Sequence, residues 1–486
     1  MAEPETSQPI RFVLNGEERT VAGVTPTTTV LEYLRRTERL TGTKEGCAEG
    51  DCGACTVLVA EPDGEGGIRR RAVNSCIQFV PFLHGRQIET VEGIGREHKQ
   101  PIQAAMVETH ASQCGFCTPG FVMQLHGGWL NGAIGDRQSV KDLIAGNLCR
   151  CTGYGPIVDA GLALARVPLP DTRAEDTALA DRLSAFRGAS VFRYEAKGGL
   201  WLSPGNVDDL ADLYAEHPDA TLVAGATDVG LWITKQHREL PVIIDVTRVR
   251  DLRMIEEAGE SIFIGAVVPL GEAHERLAKL HADLGELLRR FAGHQIRNAG
   301  TVGGNIANGS PIGDLAPALI TLGATLHLRK GDTSRELKLE DFFIDYGRQD
   351  RAPGEFVAAV EVPGLERSDR FACYKISKRF DSDISAVMAA FRLTMEGGRV
   401  GQARLAFGGM AGTPKRARRA EAALEGSAFD EAAVNRAAAA LAEDFSPLTD
   451  MRASAAYRLK TAQNLLRRFR LEAEGGTRTR ILGEVA

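Results

Sequence analysis

The chain has 486 residues, 43% of them hydrophobic and 25% charged, a length for three or four domains that can each bury a core. Its net charge of −6 is too mild to suggest nucleic acid or an anionic membrane as partner. The polar, acidic start MAEPETSQPI is unlike a secretory signal, and no apolar run nears the roughly 18 residues that span a bilayer, so the chain is expected to be soluble and cytoplasmic.

Residues 9–90 are expected to form a small β-rich domain with one packed helix. The run Arg11-Phe12-Val13-Leu14 leads into Asn15-Gly16, a pair that suits a tight hairpin because both residues tolerate positive φ. Residues 30–36 have helical spacing, and residues 56–60 return to strand. Residues 91–166 read as helical. Thr118 is expected to cap a helix with Pro119 in its first turn, running over 121–130. Ser139 with Asp142 resembles a capping box, Gly146-Asn147 a stop, and Pro156 the start of a helix reaching Ala165. Residues 167–190, with Pro168, Pro170 and a charged stretch at 171–181, read as a linker.

Residues 191–365 read as a larger α/β domain with strands at 221–223 and 242–245 and a Gly-rich loop at 297–317. Residues 366–486 carry a hairpin turning at Glu396-Gly397-Gly398, then Ala-rich helices from Pro414 onward. The basic run Lys415, Arg416, Arg418 and Arg419 is expected on the solvated face of a helix.

Eight of the nine cysteines fall into two tetrads. Cys47, Cys52 and Cys55 have the x4 and x2 gaps of a plant-type ferredoxin, with Cys76 as the distant fourth thiolate. Gly46, Gly50 and Gly53 let that loop turn tightly, and Ala48 and Ala54 let backbone amides approach the sulfur atoms. Zinc is the rival occupant, usually held where one C-x2-C pair meets a second such pair or a histidine pair; the x4 gap and the glycines weigh against it. Cys114-x2-Cys117 with Cys149-x-Cys151 fits zinc or iron–sulfur when taken alone; beside the first tetrad it favours iron–sulfur. In a reducing compartment such thiols are ligands rather than disulfides. Cys373 reads as a small buried hydrophobe, and His110 as a surface residue.

No Rossmann fingerprint or Walker loop is present. Two small-residue segments, LVAGATDVG (222–230) and RNAGTVGGNIANGSPIGDLAP (297–317), each read alone as a tight surface turn. Both in one domain beside two redox clusters favour a dinucleotide cofactor. Gly300, Gly303, Gly304 and Gly309 free amides for a diphosphate, Thr301, Asn305 and Ser310 add donors, and Asp314 suits sugar or adenine hydrogen bonding.

The segments KEGCAEGDCGACT (44–56), ASQCGFCTPG (111–120) and NLCRCTGYG (147–155) resemble the ligand loops of the small, iron–sulfur and FAD-containing subunits of bacterial xanthine dehydrogenases. These belong to the xanthine oxidase family of molybdenum hydroxylases, and the resemblance runs from about residue 10 to about 475. It implies a multidomain α+β fold. The expected parts are a β-grasp plant-type ferredoxin domain, a helical-bundle [2Fe–2S] domain, a vanillyl-alcohol-oxidase-type FAD-binding domain and a C-terminal α+β domain of the CO dehydrogenase flavoprotein type. The segment RLAFGGM (404–410) is similar to the start of that last domain.

By the same resemblance, Leu222, Val223, Ala224, Gly225, Ala226, Thr227, Asp228 and Val229 wrap the FAD diphosphate. Thr301, Gly304, Asn305, Ser310 and Asp314 continue that site, Phe291 lies beside the flavin, and Val357 and Lys375 add contacts. No catalytic residue is implied. The implied function is electron transfer in xanthine dehydrogenase, from hypoxanthine or xanthine oxidised to urate, through two [2Fe–2S] clusters to FAD and then NAD⁺. All 486 residues are taken up by these parts, so the molybdenum cofactor is expected on a separate large molybdopterin-binding subunit, in a heterotetramer of two small and two large subunits. A related hydroxylase acting on an aldehyde or another N-heterocycle is the enzymatic alternative, and a maturation or interaction protein the other. Two positions depart from the vertebrate pattern: Phe380 interrupts a charged cluster over 379–383, and Arg290 stands in place of an aromatic residue.

Overall fold

The computed structural model describes residues 7–95, 100–188, 190–475 and 479. It falls into two compact units, one built from Met1–Arg250 with Ala292–Gly300, the other from Asp251–Phe291 with Thr301–Ala486.

In the first unit Ile10–Leu14 pairs with Glu17–Val21, Leu14 facing Glu17, across Asn15 at φ 50° and Gly16 at φ 85°. The expected hairpin is therefore present, with positive φ at both turn residues. These strands join Gln87–Glu89, Thr56–Pro62 and Ile68–Asn74 in one five-stranded sheet. Residues 30–36 begin as helix Val30–Glu32, capped by the Thr29 hydroxyl, and widen into a π-turn at Tyr33–Thr37. Phe12, Phe79 and Ile88 share one apolar core with Trp201, Val223 and Ile243. The Trp201 ring meets Phe82 edge-on at 4.8 Å. A second, four-stranded sheet of Phe192–Ala196, Gly199–Ser203, Val242–Asp245 and Thr221–Val223 thus shares its core with the ferredoxin-like sheet.

The helices Pro101–Glu108, Thr118–Leu130, Arg137–Ile144 and Gly155–Leu164 enclose a separate core around Phe121, Leu125, Val140 and Ile157. Two expected caps are displaced. Cys117, not Thr118, occupies the cap position of its helix. The capping box is Asp136 with Ser139: Ser139 N–H donates to Asp136 Oδ1 at 2.8 Å and Asp136 N–H donates to Ser139 Oγ at 2.9 Å. Asp136, as good a cap as a serine, takes the N-cap place and Ser139 the N3 place, so the helix starts a turn earlier than expected.

Within the stretch expected as a linker, residues 173–187 are helical. They form the helix Arg173–Arg187, which buries only Ala180, Leu183 and Phe186. Arg70 grips Asp176 with both terminal nitrogens, one bond measuring 2.9 Å. That pairing, led by the hydrogen bond from Arg70, holds the Asp176 carboxyl below its usual range. A depressed carboxylate stabilises fully above the usual pKa of about 4 and loses that contribution as pH falls through the depressed value. Asp176→Asn should therefore lower the unfolding temperature by a few degrees at pH 6, and the gap from wild type should narrow as the pH falls below the usual carboxyl range of about 4. A gap that persists undiminished in acid would show that the pair does not anchor the helix.

The second unit holds an antiparallel sheet ordered Ile255–Ala258, Ser261–Gly265, Phe356–Pro363, Thr325–Lys330, Thr333–Lys338. Its other large sheet contains Asp369–Ile376, Val387–Glu396, Arg399–Gly408 and Lys415–Arg416. Glu396 faces Arg399 across Gly397 and Gly398, the expected hairpin. The helices Arg418–Leu424, Glu431–Asp444 and Ala455–Glu474 complete this part. The basic run is not one solvated helix face. Lys415 and Arg416 form a strand, whose alternation turns Arg416 inward to Glu421 at 2.8 Å and Glu340 at 2.9 Å. Cys373 is buried, as expected. Among the described residues no helix is long and apolar enough to cross a membrane.

Candidate cofactor sites

The loop carrying the first three cysteines folds back on itself: Lys44 N–H donates to Ala54 O at 3.2 Å and Thr56 N–H to Gly53 O at 3.1 Å. Gly46 lets the loop run close to Cys52: a Cβ there would lie 2.8 Å from Cys52 Sγ, and that side chain would have to shift. The strand end at Asn74 then brings in Cys76. Cys47 lies within hydrogen-bonding reach of Cys52 and Cys76, and Cys55 of Cys76, so the four thiols act on one another as one group. Those contacts pull the Cys47 thiol well below its ordinary value and push Cys52 and Cys76 above theirs. Four thiols this close cannot all ionise without a cationic centre among them. Backbone donors are in place: Glu49 and Cys52 N–H each reach Cys47 Sγ at 3.4 Å. Asn74 Nδ2 reaches Cys55 Sγ at 3.6 Å, a contact absent from the sequence reading although Asn74 sits two positions before Cys76.

The second tetrad lies at helix ends. Cys117 caps Thr118–Leu130, and Cys149 and Cys151 precede Gly155–Leu164. The free thiol of Cys117 lies within hydrogen-bonding reach of Cys149, and that of Cys114 within reach of Cys151. Burial, then the contact with Cys149, pushes the Cys117 thiol up to about 12. Thr152 Oγ lies 3.2 Å from Cys149 Sγ, and Cys149 N–H donates to the Tyr154 hydroxyl at 3.0 Å. Both were legible as polar neighbours in CRCTGY but were not singled out. Among the described residues no three His, Cys, Asp or Glu side chains converge as a single-ion site. The thiols of the second tetrad meet two by two, which suits a cluster with two thiolates on each iron better than one tetrahedral zinc.

In the first unit, Leu222 and Val223 end a strand, residues 224–228 turn, and Val229 opens the helix Val229–Thr234. Val223, Gly225 and Ala226 are buried, Leu222, Ala224, Thr227 and Val229 half-buried, and Asp228 exposed. Ala226 adopts φ 54°. Gly225 O accepts from Gln78 Nε2 at 2.7 Å.

In the second unit, most of the expected Gly-rich loop is helical. Val302–Asn308 is a helix capped by Thr301, whose Oγ accepts from Gly304 N–H at 3.1 Å. Gly303 serves packing, since its Cβ would stand 2.5 Å from the Ala266 side chain. Gly304 is open: a Cβ would meet only Thr301 Oγ, at 2.9 Å. The buried Oδ1 of Asn305 has no hydrogen-bond partner, and a half-turn of the amide would present donors instead. An open glycine beside an unpartnered buried amide fits a bound polar cofactor. Ser310 is half-buried and caps the turn at Ile312, 3.4 Å away.

Asp314 is already engaged. It pairs with the Lys375 ammonium and accepts from Ser385 Oγ at 2.5 Å, all three side chains being buried. Val357 sits on Phe356–Pro363 with its side chain in the core, and Phe291 packs half-buried against the same core. The two departures meet each other: the Arg290 guanidinium lies 4.2 Å over the Phe380 ring and donates through Nε to Phe380 O at 3.1 Å.

Residues 12–80 match the 2Fe-2S iron-sulfur cluster binding domain and residues 90–162 the [2Fe-2S] binding domain. Residues 192–365 match the FAD binding domain in molybdopterin dehydrogenase, and 372–473 the CO dehydrogenase flavoprotein C-terminal domain. Xanthine dehydrogenase of Drosophila subobscura is 34% identical over 88% of this chain and 36% of its own length. Xanthine dehydrogenase/oxidase of Mus musculus is 32% identical over 82% of this chain and 34% of its own. The chain thus spans about a third of the length of the curated relatives it matches. A chain of carbon monoxide dehydrogenase from Hydrogenophaga pseudoflava superimposes with a TM-score of 0.53 at 28% identity, over 55% of this chain and 94% of that one. A chain of quinoline 2-oxidoreductase from Pseudomonas putida 86 gives 0.51 at 27%, over 56% and 95%. Two [2Fe–2S] domains, a FAD-binding domain and a flavoprotein C-terminal domain in one chain define an iron–sulfur flavoprotein of the oxidoreductase class. The chain corresponds to the iron–sulfur and FAD portion of the xanthine dehydrogenase family of molybdenum hydroxylases.

Proposed function

We propose that this chain is the electron-transfer subunit of a xanthine dehydrogenase. The molybdenum cofactor then lies on a large partner subunit, in an assembly of two small and two large chains in the cytoplasm, with NAD⁺ as the final acceptor. The supporting observation is two complete thiol tetrads in one chain with a FAD-binding domain. In this reading Cys47, Cys52, Cys55 and Cys76 hold one cluster, and Cys114, Cys117, Cys149 and Cys151 the other. When bound, the clusters pass single electrons and FAD exchanges singly with them and in pairs with nicotinamide.

The chain's own residues position and tune. Amides of Glu49 and Cys52 and the side chain of Asn74 donate to thiolate sulfur. Residues 222–229 of the first unit are assigned to FAD, as are Phe291, Thr301, Gly304, Asn305, Ser310, Asp314, Val357 and Lys375 of the second. Among the last group, Lys375 holds Asp314 rather than leaving it free for a hydroxyl. Xanthine or hypoxanthine as substrate rests on the names of the curated relatives. The similarity to a quinoline 2-oxidoreductase chain supports a second reading, in which the large subunit takes another N-heterocycle.

Purified chain should carry about four irons, two for each cluster, and one flavin. The exposed second tetrad and the more buried first tetrad should give two distinct paramagnetic signals on reduction. Alone it should reduce a dye with NADH yet form no urate; co-expressed with its large partner it should form urate from xanthine. Zinc in the second tetrad, or urate formed by the chain alone, would overturn the assignment. Quinoline-type turnover without xanthine turnover would favour the second reading.

A further inference from the structure

The helix Val229–Thr234, which leaves the 222–229 segment, ends against the loop of the first tetrad. Thr234 Oγ donates to Ala48 O at 2.7 Å and also lies 3.1 Å from Gly230 O. Lys235 Nζ donates to Cys47 O at 2.5 Å and stands 3.7 Å from the Glu49 carboxylate. From these contacts we infer that Thr234 and Lys235 are positioning residues that set the reduction potential of the first cluster. The inference rests on the ligand assignment proposed above.

The peptide joining Ala48 to Glu49 carries the argument. In a planar trans peptide the C=O and N–H point in opposite directions. Its oxygen faces the Thr234 hydroxyl, so its N–H faces away, and that N–H donates to Cys47 Sγ at 3.4 Å. The hydroxyl therefore fixes the direction of an N–H···S bond without touching sulfur. Fixing is needed because Ala48 sits at φ 54°, a region where a residue with a Cβ is held only by its surroundings. Free of Thr234, that peptide can rotate and withdraw its donor.

Lys235 acts by charge. Reduction adds one negative charge to the cluster, so a cation at the carbonyl of a ligating cysteine favours the reduced form. Its removal would also leave Glu49 unopposed, which pushes the same way. The Lys235 side chain is 41% exposed, so its effect is open to screening by salt, whereas the Thr234 hydrogen bond is not.

The test is a potentiometric titration of the full chain, following both iron–sulfur signals. Thr234→Val and Lys235→Gln should each lower the midpoint of one and the same signal and leave the other in place. Thr234→Ser and Lys235→Arg should stay near wild type. The Lys235→Gln shift should shrink between about 0.01 M and 1 M salt, as the screening length falls from about 30 Å to about 3 Å, and the Thr234→Val shift should persist. Unchanged midpoints in variants with full iron content, or equal shifts in both clusters, would overturn the inference. A wild-type chain lacking two iron–sulfur signals would instead overturn the ligand assignment beneath it.

Discussion

Lys375→Met is expected to cost the second unit about 3–5 kcal/mol of stability, the usual price of stranding one member of a buried ion pair. The side chains of Lys375 and Asp314 are only 2% and 4% exposed. Lys375 Nζ also donates to Ser385 Oγ at 3.1 Å, and that hydroxyl donates onward to Asp314 at 2.5 Å. Without the ammonium, a buried carboxylate keeps one hydroxyl as its partner. Asp314 begins the helix Leu315–Leu322 and Lys375 lies on the strand Asp369–Ile376, so the pair ties helix to sheet. Denaturant unfolding of flavin-free protein measures this directly, because any role through FAD is then removed. The double variant Lys375→Met with Asp314→Leu should recover much of the loss, since no charge is left unpaired. Flavin-free Lys375→Met as stable as wild type would mean that the lysine matters only when FAD is bound.

The chemistry-bearing parts were the most legible in the sequence. Cysteine spacing identifies the tetrads because thiolates must reach a small cluster from a short loop, and that demand survives in the linear order. The Asn15-Gly16 hairpin and the strands Thr221–Val223 and Val242–Asp245 were likewise readable, since turn chemistry and short β-branched runs act locally. What escaped reading depended on distant partners. The helix Arg173–Arg187 shows only three buried apolar residues, too thin a stripe to register, and it docks partly through Arg70, far away in sequence. Arg416 looked like a surface charge because Glu340 and Glu421 meet it only in the fold. The glycines of 297–317 suggested a loop; Gly303 is instead small so that a helix can approach Ala266. Asp314 looked free for a ligand because its lysine lies on a strand remote in the chain.

Gly225→Val and Gly304→Leu, which look equivalent in sequence, are expected to fail in different ways. A Cβ on Gly225 would stand 1.8 Å from Ala299 O and 2.2 Å from its carbonyl carbon. Those are backbone atoms, so neither can rotate away, and the turn itself must shift. Gly225 O would then release Gln78, which lies two residues after Cys76. Overpacking of this kind typically costs about 1–3 kcal/mol or more, and here the strain reaches the first tetrad. Gly225→Val should therefore lose iron as well as flavin and unfold at lower denaturant. Gly304 lies open, and its Cβ would meet only Thr301 Oγ. Gly304 is the third residue of the helix Val302–Asn308, where leucine's better helix propensity than glycine's offsets part of any disturbance to the cap. Gly304→Leu should keep near-normal stability and iron while its flavin-to-protein ratio falls several-fold, because the side chain fills the space beside Asn305. Iron and flavin measured on the same preparations separate the two. Full flavin in Gly304→Leu would remove residues 301–314 from the diphosphate site. Full iron in Gly225→Val would show that the 222–229 turn can shift without disturbing the first cluster.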